Sequence, residues 1–268
     1  SWGSSSTSGT IDRVSEANIR SYHSNTITAM RNAQANGTLF VWAAGNLGHS
    51  VIQPDYLAAM PYRINELQNE WLLVVSVDED KVETDYTQRC GLAWNFCVAA
   101  FGGDDDVSNR GVYGAHSNQS IYASDQGSYV RQSGTSMAAP QVSGIAANLM
   151  QKFPSLTPAQ IATRIKTTAT MTGLRNSAGV LMTTRSTSYQ RSVFGNGLVN
   201  ASAAGSMIGT PQYPRGKDYY EGVIELEKNK LNLPIWLSSG ATTEILNSNF
   251  TVFESFDGAR FDVPGSII

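Results

Sequence analysis

Ser136 stands in "SGTSMAAPQVSG" (133–144), where Gly134 and Thr135 precede it and an apolar run follows. A serine hydroxyl is a weak nucleophile until a base takes its proton, and attack on a carbonyl also needs hydrogen-bond donors for the oxyanion that develops. At a helix entrance the Ser136 oxygen would lie beside backbone N–H groups and the positive end of the helix dipole, and its own N–H is one such donor. Asn46 offers another, because it ends the apolar run "VWAAGN". An amide projecting from the carboxyl end of a parallel strand lies on the edge where open α/β sheets carry their sites. Read singly, Asn46 is a turn residue and Ser136 a helix start. Read together they are a nucleophile and an oxyanion donor. Pro140 is expected early enough in the helix that its missing N–H costs little.

The elements that must position this pair follow from periodicity. Residues 14–36 carry Ile19, Tyr22, Ile27, Met30 and Ala33 at mostly helical spacing and stop at Asn36-Gly37, a helix-ending pair. Three uninterrupted apolar runs, "TLFVWAAGN", "EWLLVVSVD" and "NFCVAAFG", read as strands buried on both faces, as a parallel sheet requires. Helix alternating with such strands predicts an α/β domain. Residues 103–132 are polar and turn-rich, with a short hairpin expected around "SIYAS" and "SYVRQS". The segment "MAAPQVSGIAANLMQKF", apolar on nearly all sides, predicts a central helix, whose small residues Ala138, Ala139, Gly144, Ala146 and Ala147 permit close approach to the sheet. "SLTPAQIATRIKTTA" adds a helix with Thr at its cap and Pro in its first turn. Beyond residue 205 the texture changes to a Pro/Gly/Tyr linker and short strands with turns. The domain reading is therefore 1–205 for the α/β domain and 206–268 for a linker and β-rich extension or strap.

Composition narrows the function. A 268-residue chain that is 41% hydrophobic can bury a core. A net charge of −3 leaves no basic face, so nucleic acid is excluded as a partner. The apolar runs are all shorter than the roughly 20 residues a membrane helix needs. Charged residues make up only 15%, against about 25% in an average domain, a balance that suits an extracellular protein. The two cysteines, Cys90 and Cys97, have six residues between them and no His or further Cys nearby. They read as a loop-closing disulfide in preference to two buried thiols, which implies an oxidising compartment.

Taken in order, "SWGSSS" (1–6), "FVWAAGNLG" (40–48), "SGTSMAAPQVSG" (133–144) and "VFGNGLVNASAA" (193–204) resemble the later motifs of the subtilisin-like serine peptidases, the subtilases. The resemblance covers residues 1 to about 205. It implies a subtilisin-like α/β fold whose N-terminal portion lies outside this chain. It also implies Ser136 as nucleophile and Asn46 as oxyanion-hole residue. Ser1, Trp2 and Gly3 become the edge that pairs with substrate backbone, and Ala43, Ala44 and Gly45 the lining of the pocket for the side chain before the scissile bond. The cysteine pair resembles a feature of subtilases carried by Gram-negative autotransporters, so a secreted or cell-surface location is expected.

In subtilases the catalytic Asp and His precede the "SWG" stretch. The three histidines here are His23, His49 and His116, and none stands in that family's His context. His23 reads as a helix surface residue, His49 as a neighbour of the site and His116 as a loop residue near the cleft. The expectation is a serine endopeptidase acting on polypeptides, with its base and Asp supplied by an upstream fragment of the same precursor. The alternative is an inactive subtilase-like fragment that binds peptides or serves adhesion. The Gly-x-Ser-x-Gly elbow of α/β-hydrolases does not fit, because Met137-Ala138 follow Ser136. No cofactor is required. Structural calcium would suit Asp104 to Asp106, or Asp78, Glu79 and Asp80, although solvated loops explain both runs.

Overall fold

The computed structural model describes residues 9–104, 110–115, 129–214, 223–225 and 249–264. Ser1, Trp2 and Gly3, together with His116, Asp105, Asp106 and the "SIYAS" stretch, lie outside the described residues.

A three-stranded parallel sheet has the order β1 (Phe40–Ala43), β2 (Trp71–Val77), β3 (Cys97–Phe101). Every residue of β2 is buried, as its run of apolar residues demands, whereas β1 is only half-buried along its length. Period-two alternation divides the core in two. Trp71, Leu73, Val75 and Val77 face a layer containing α1 (Glu16–Ala35) and α4 (Thr187–Phe194). Leu72 and Val74 face α2 (Thr135–Lys152) and α3 (Pro158–Thr168).

The helix signals fall where local chemistry puts them. The Ser15 side chain caps α1 by accepting from the Asn18 N–H, and Asn36 ends it before Gly37, at φ +87°. Thr157 and Gln160 form a reciprocal capping box at α3, with Pro158 in the first turn. Asn200 caps α5 (Ala201–Gly205). Tyr22 departs from its expected place on the apolar stripe and is 81% exposed; the backbone of the next residue, His23, is non-helical.

Two expectations about α2 are corrected. Pro140 is the sixth residue of the helix, not one of the first-turn positions whose N–H has no helical partner. An N–H there would have bonded the Ser136 carbonyl, so its loss is not cost-free. Nor is the helix enclosed on all sides. Ala138, Ala139, Val142, Ala146 and Leu149 are buried against the sheet, while Pro140, Ser143, Gly144 and Ala147 are exposed.

After β3 a two-stranded antiparallel hairpin, β4 (Val112–Ala115) with β5 (Tyr129–Gln132), leads directly into α2. Cys90 and Cys97 form the expected disulfide, closing the turn that starts β3. The C-terminal part adds a four-stranded sheet ordered β7 (Val223–Glu225), β6 (Pro211–Pro214), β8 (Asn249–Glu254), β9 (Arg260–Pro264), antiparallel throughout. Ala259 of its β8–β9 turn is buried in the same core as α2 and α3. Beside it Arg164 of α3, fully buried, pairs with Glu254 and with Asp257 at 2.9 Å. Among the described residues no helix is long and apolar enough to cross a membrane.

Candidate active site

The chain leaves β1 through Ala44 and Gly45, and Gly45 adopts φ +115°, a conformation side-chain-bearing residues rarely take. A Cβ at Gly45 would also overlap the Gln88 side chain. This turn presents Asn46 at the carboxyl end of the strand. On the other side β5 runs through Ser133 into Gly134, at φ 150° and ψ 159°, which precedes the first residue of α2. Only glycine adopts that conformation without strain. The Gly134 N–H donates to the Gly102 carbonyl at 2.9 Å, tying the turn to the end of β3. A Cβ on Gly102 would clash with Ser76 Oγ and with the Gly134 carbonyl. Beneath them the Tyr86 hydroxyl joins Ser76 Oγ at 2.7 Å to the Gly103 carbonyl at 2.6 Å.

Thr135 couples the two segments. Its N–H donates to Asn46 Oδ1 at 3.0 Å and its hydroxyl donates to the same oxygen at 2.7 Å. The Gly45 N–H in turn donates to Thr135 Oγ1 at 3.3 Å. A backbone N–H can only donate, so the amide atom it meets must be the oxygen and the Asn46 NH2 must point the other way. That nitrogen lies 3.3 Å from the point where a Gly134 side chain would begin, and the Ser136 nitrogen lies 3.6 Å from the same point. The Met137 Sδ lies 3.6 Å from it as well, so two donor-bearing nitrogens and one thioether border the position that glycine leaves without a side chain. Sequence reasoning singled out Ser136 and Asn46, and the structure brings the two turns that carry them together through Thr135. It missed Thr135, whose signal was its place between Gly134 and Ser136.

A cleft of about 410 Å3 opens beside Ser136, lined by Phe40, Val41, Trp42, Ala43, Ala139, Pro140 and Ser143. None of these is titratable. Ala43 thus lies in the same cleft as Ser136, whereas Ala44 is fully buried in the core. Neither described histidine lines this cleft. His23, expected on the surface, is half-buried with Nε2 3.1 Å from the Tyr56 hydroxyl. His49 turns its Nδ1 toward Asp85, 3.5 Å from the carboxylate. Among the described residues no group of three or more His, Cys, Asp or Glu side chains is arranged to hold a metal ion. Asp78 instead accepts from the Val82 N–H at 2.7 Å, and burial pushes its carboxyl above the usual range. Glu79 and Asp80 pair with Arg110.

Comparison with known proteins bears on the same segments. The sequence profile described as "Subtilase family" matches residues 1–197. An "Extracellular serine protease" of Serratia marcescens is 36% identical over 164 residues, covering 57% of this chain and 15% of that protein. "Serotype-specific antigen 1" of Mannheimia haemolytica is 31% identical over 194 residues, 72% of this chain and 18% of that protein. The chain thus spans a small part of the length of either. Among solved structures, a protease of Pseudoalteromonas arctica is 28% identical with a TM-score of 0.45, covering 68% of this chain and 46% of the other.

Proposed function

This chain belongs to the subtilase family, and we propose that it is the nucleophile-bearing part of a serine endopeptidase. The observation that carries the reading is the orientation of the Asn46 amide: Thr135 holds its oxygen, which turns its NH2 toward Gly134, the residue that opens the turn into Ser136. In the proposed reaction Ser136 Oγ attacks the scissile carbonyl as its proton passes to an imidazole. The Asn46 NH2 and Ser136 N–H take up the charge of the tetrahedral oxyanion. The imidazolium then protonates the leaving amine, and water hydrolyses the acyl-serine with the imidazole again as base. Acyl transfer of this kind needs no cofactor.

The imidazole and its orienting carboxylate come, in this proposal, from an upstream segment of the same precursor. The apolar, half-exposed edge of β1 and the uncovered face of α2 support that source, since both border the cleft that contains Ser136. An open strand edge with apolar side chains is a place where further strands add. Ser1, Trp2 and Gly3 then pair with substrate backbone, and Ala43, which lines the cleft beside Ser136, bounds the pocket for the side chain before the scissile bond, whereas the fully buried Ala44 does not reach it. The disulfide and the names of the relatives support a secreted or surface-exposed protein of a Gram-negative bacterium.

Treatment of the full precursor or its purified assembly with a fluorophosphonate probe tests this. Labelling that maps to Ser136 and is lost in Ser136→Ala is expected. Absence of labelling under conditions that label a subtilisin would refute the enzyme reading in favour of a peptide-binding fragment. Intact-mass measurement of the same sample shows whether a second polypeptide accompanies the chain.

A further inference from the structure

The hairpin β4–β5 carries an aromatic surface that the proposed chemistry does not use. Tyr113 and Tyr129 are 62% and 59% exposed. Their rings stack at 5.5 Å between centroids, with 25° between planes. Tyr113 is directly opposite Arg131 in the ladder, and Ala115 is opposite Tyr129, so all four share one face. The Arg131 guanidinium lies 5.4 Å from the Tyr113 ring centroid and is held there by donation from Nη1 to the Gly111 carbonyl at 2.9 Å. The opposite face carries Val112 and Val130, both half-buried.

The place of this surface says what meets it. β5 ends at Gln132, and Ser133 and Gly134 alone separate it from the first turn of α2. The root of the hairpin is pressed against the end of β3: a Cβ on Gly103 would lie 2.8 Å from Ser133 Oγ and 2.9 Å from Gly111 Cα. The platform is therefore a direct continuation of the turn that carries Ser136. Arg131 and Tyr129 stand five and seven positions before Ser136, so even a fully extended backbone sets them no more than about 25 Å from it, a span that an extended polypeptide covers in about seven or eight residues.

The geometry points to Tyr113, Tyr129 and Arg131 as a remote subsite for the polypeptide seated on Ser136, taking an aromatic side chain some residues from the scissile bond. Phenol rings already stacked on one another leave outer faces that favour another ring in offset or edge-on contact. The anchored guanidinium favours a carboxylate beside that ring. The inference rests on the proposed function only for the position of the scissile bond.

The test uses the full precursor or its purified assembly carrying Ser136→Ala, with fluorescein-labelled, alanine-based peptides in which one phenylalanine is moved along the sequence. Fluorescence anisotropy is expected to show a phenylalanine position that tightens binding, with that gain falling about tenfold in Tyr113→Ala/Tyr129→Ala. Fluorophosphonate labelling of the same double variant, with Ser136 retained, reports whether the catalytic turn is intact. Tyr113→Leu/Tyr129→Leu, which keeps apolar area and removes the rings, is expected to lose the gain as well. Binding that ignores the phenylalanine, that is absent for every peptide, or that is unchanged in the double variants would overturn the subsite. Phenylalanine-dependent binding in a protein whose Ser136 is never labelled would keep the subsite and refute the enzyme.

Discussion

Replacing Thr135 by valine separates holding Asn46 from being Asn46. Thr135 is buried, 1% exposed, and valine fills nearly the same volume. The Thr135 N–H donation to Asn46 Oδ1 at 3.0 Å survives, while the hydroxyl donation at 2.7 Å and the acceptor for the Gly45 N–H at 3.3 Å are lost. One neutral hydrogen bond is worth about 1 kcal/mol, or about fivefold in rate. Deleting an oxyanion-hole amide outright costs about 10² to 10³ in turnover, a figure that comes from subtilisin itself. Thr135→Val in the complete enzyme should therefore lower kcat about five- to tenfold with KM within about twofold, since the lost interaction orients a transition-state donor. Thr135→Ser, which restores the hydroxyl, should recover most of that loss. In the Asn46→Ala background Thr135→Val should cost little more, because there is no amide left to orient. A fully additive double variant, or a single variant whose loss lies in KM, would refute the positioning role.

Other outcomes follow from the same geometry. Glu254 is fully buried, pairs with Arg164 and accepts from the Ile208 N–H at 2.6 Å and the Gly209 N–H at 3.3 Å. Glu254→Ala should cost about 3–5 kcal/mol, read from the urea midpoint at constant slope, and a loss below about 1 kcal/mol would show the cluster to be dispensable. Gly134→Ala forces a side chain into the φ 150° conformation, with its Cβ 3.3 Å from Asn46 Nδ2. The rate of fluorophosphonate labelling at Ser136 should fall at least about tenfold for a stability loss of about 1–3 kcal/mol, and an unchanged rate would remove the turn from the site. Burial raises the Asp78 carboxyl, so the folded state holds that proton more tightly than the unfolded one and stability falls as pH rises through the shifted range. Asp78→Asn keeps an acceptor for the Val82 N–H and should gain stability at pH 7 relative to pH 3; the opposite trend in denaturation midpoints would contradict the assignment.

The strands were legible because β2 and β3 are buried on both faces and have no polar residue to interrupt them except Ser76, whose hydroxyl is satisfied by Tyr86. Helix ends were legible because caps are local: Thr157 and Gln160, or Asn36 before Gly37, act within a few residues. Ser136 and Asn46 were legible through glycine, since both follow turns that need it. The coupling of the two was not. Thr135 and Asn46 are 89 positions apart, and no periodicity in either segment encodes a side-chain bond between them. His23 escaped for a similar reason: its partner, Tyr56, belongs to a different segment. The exposed stripe of α2 misled because Gly144 and Ala147 are apolar enough to read as core, yet only a packing partner decides whether a small residue is covered.

Arg164 shows why the C-terminal sheet is more than an appendage to the nucleophile helix. Glu254 and Asp257 meet its charge, and its remaining donors go to the carbonyls of Ala204, at 2.5 Å, and Ser206, at the end of α5. A helix C-terminus has carbonyls with no helical partner, and a guanidinium can satisfy two of them while neutralising the negative end of the dipole. The same guanidinium lies 4.5 Å from the centroid of Phe153, which ends α2 and stands 5.2 Å from Phe261 of β9. One buried cation thus ties α3, α5 and the β8–β9 turn to the carboxyl end of the helix whose first turn carries Ser136. Asn46 and Thr135 fix the near end of that helix, and Arg164 with Phe153 fixes the far end. Displacing the C-terminal sheet would strip Arg164 of both carboxylates and Phe153 of its aromatic neighbour, so α2 is held by residues on both sides of position 205.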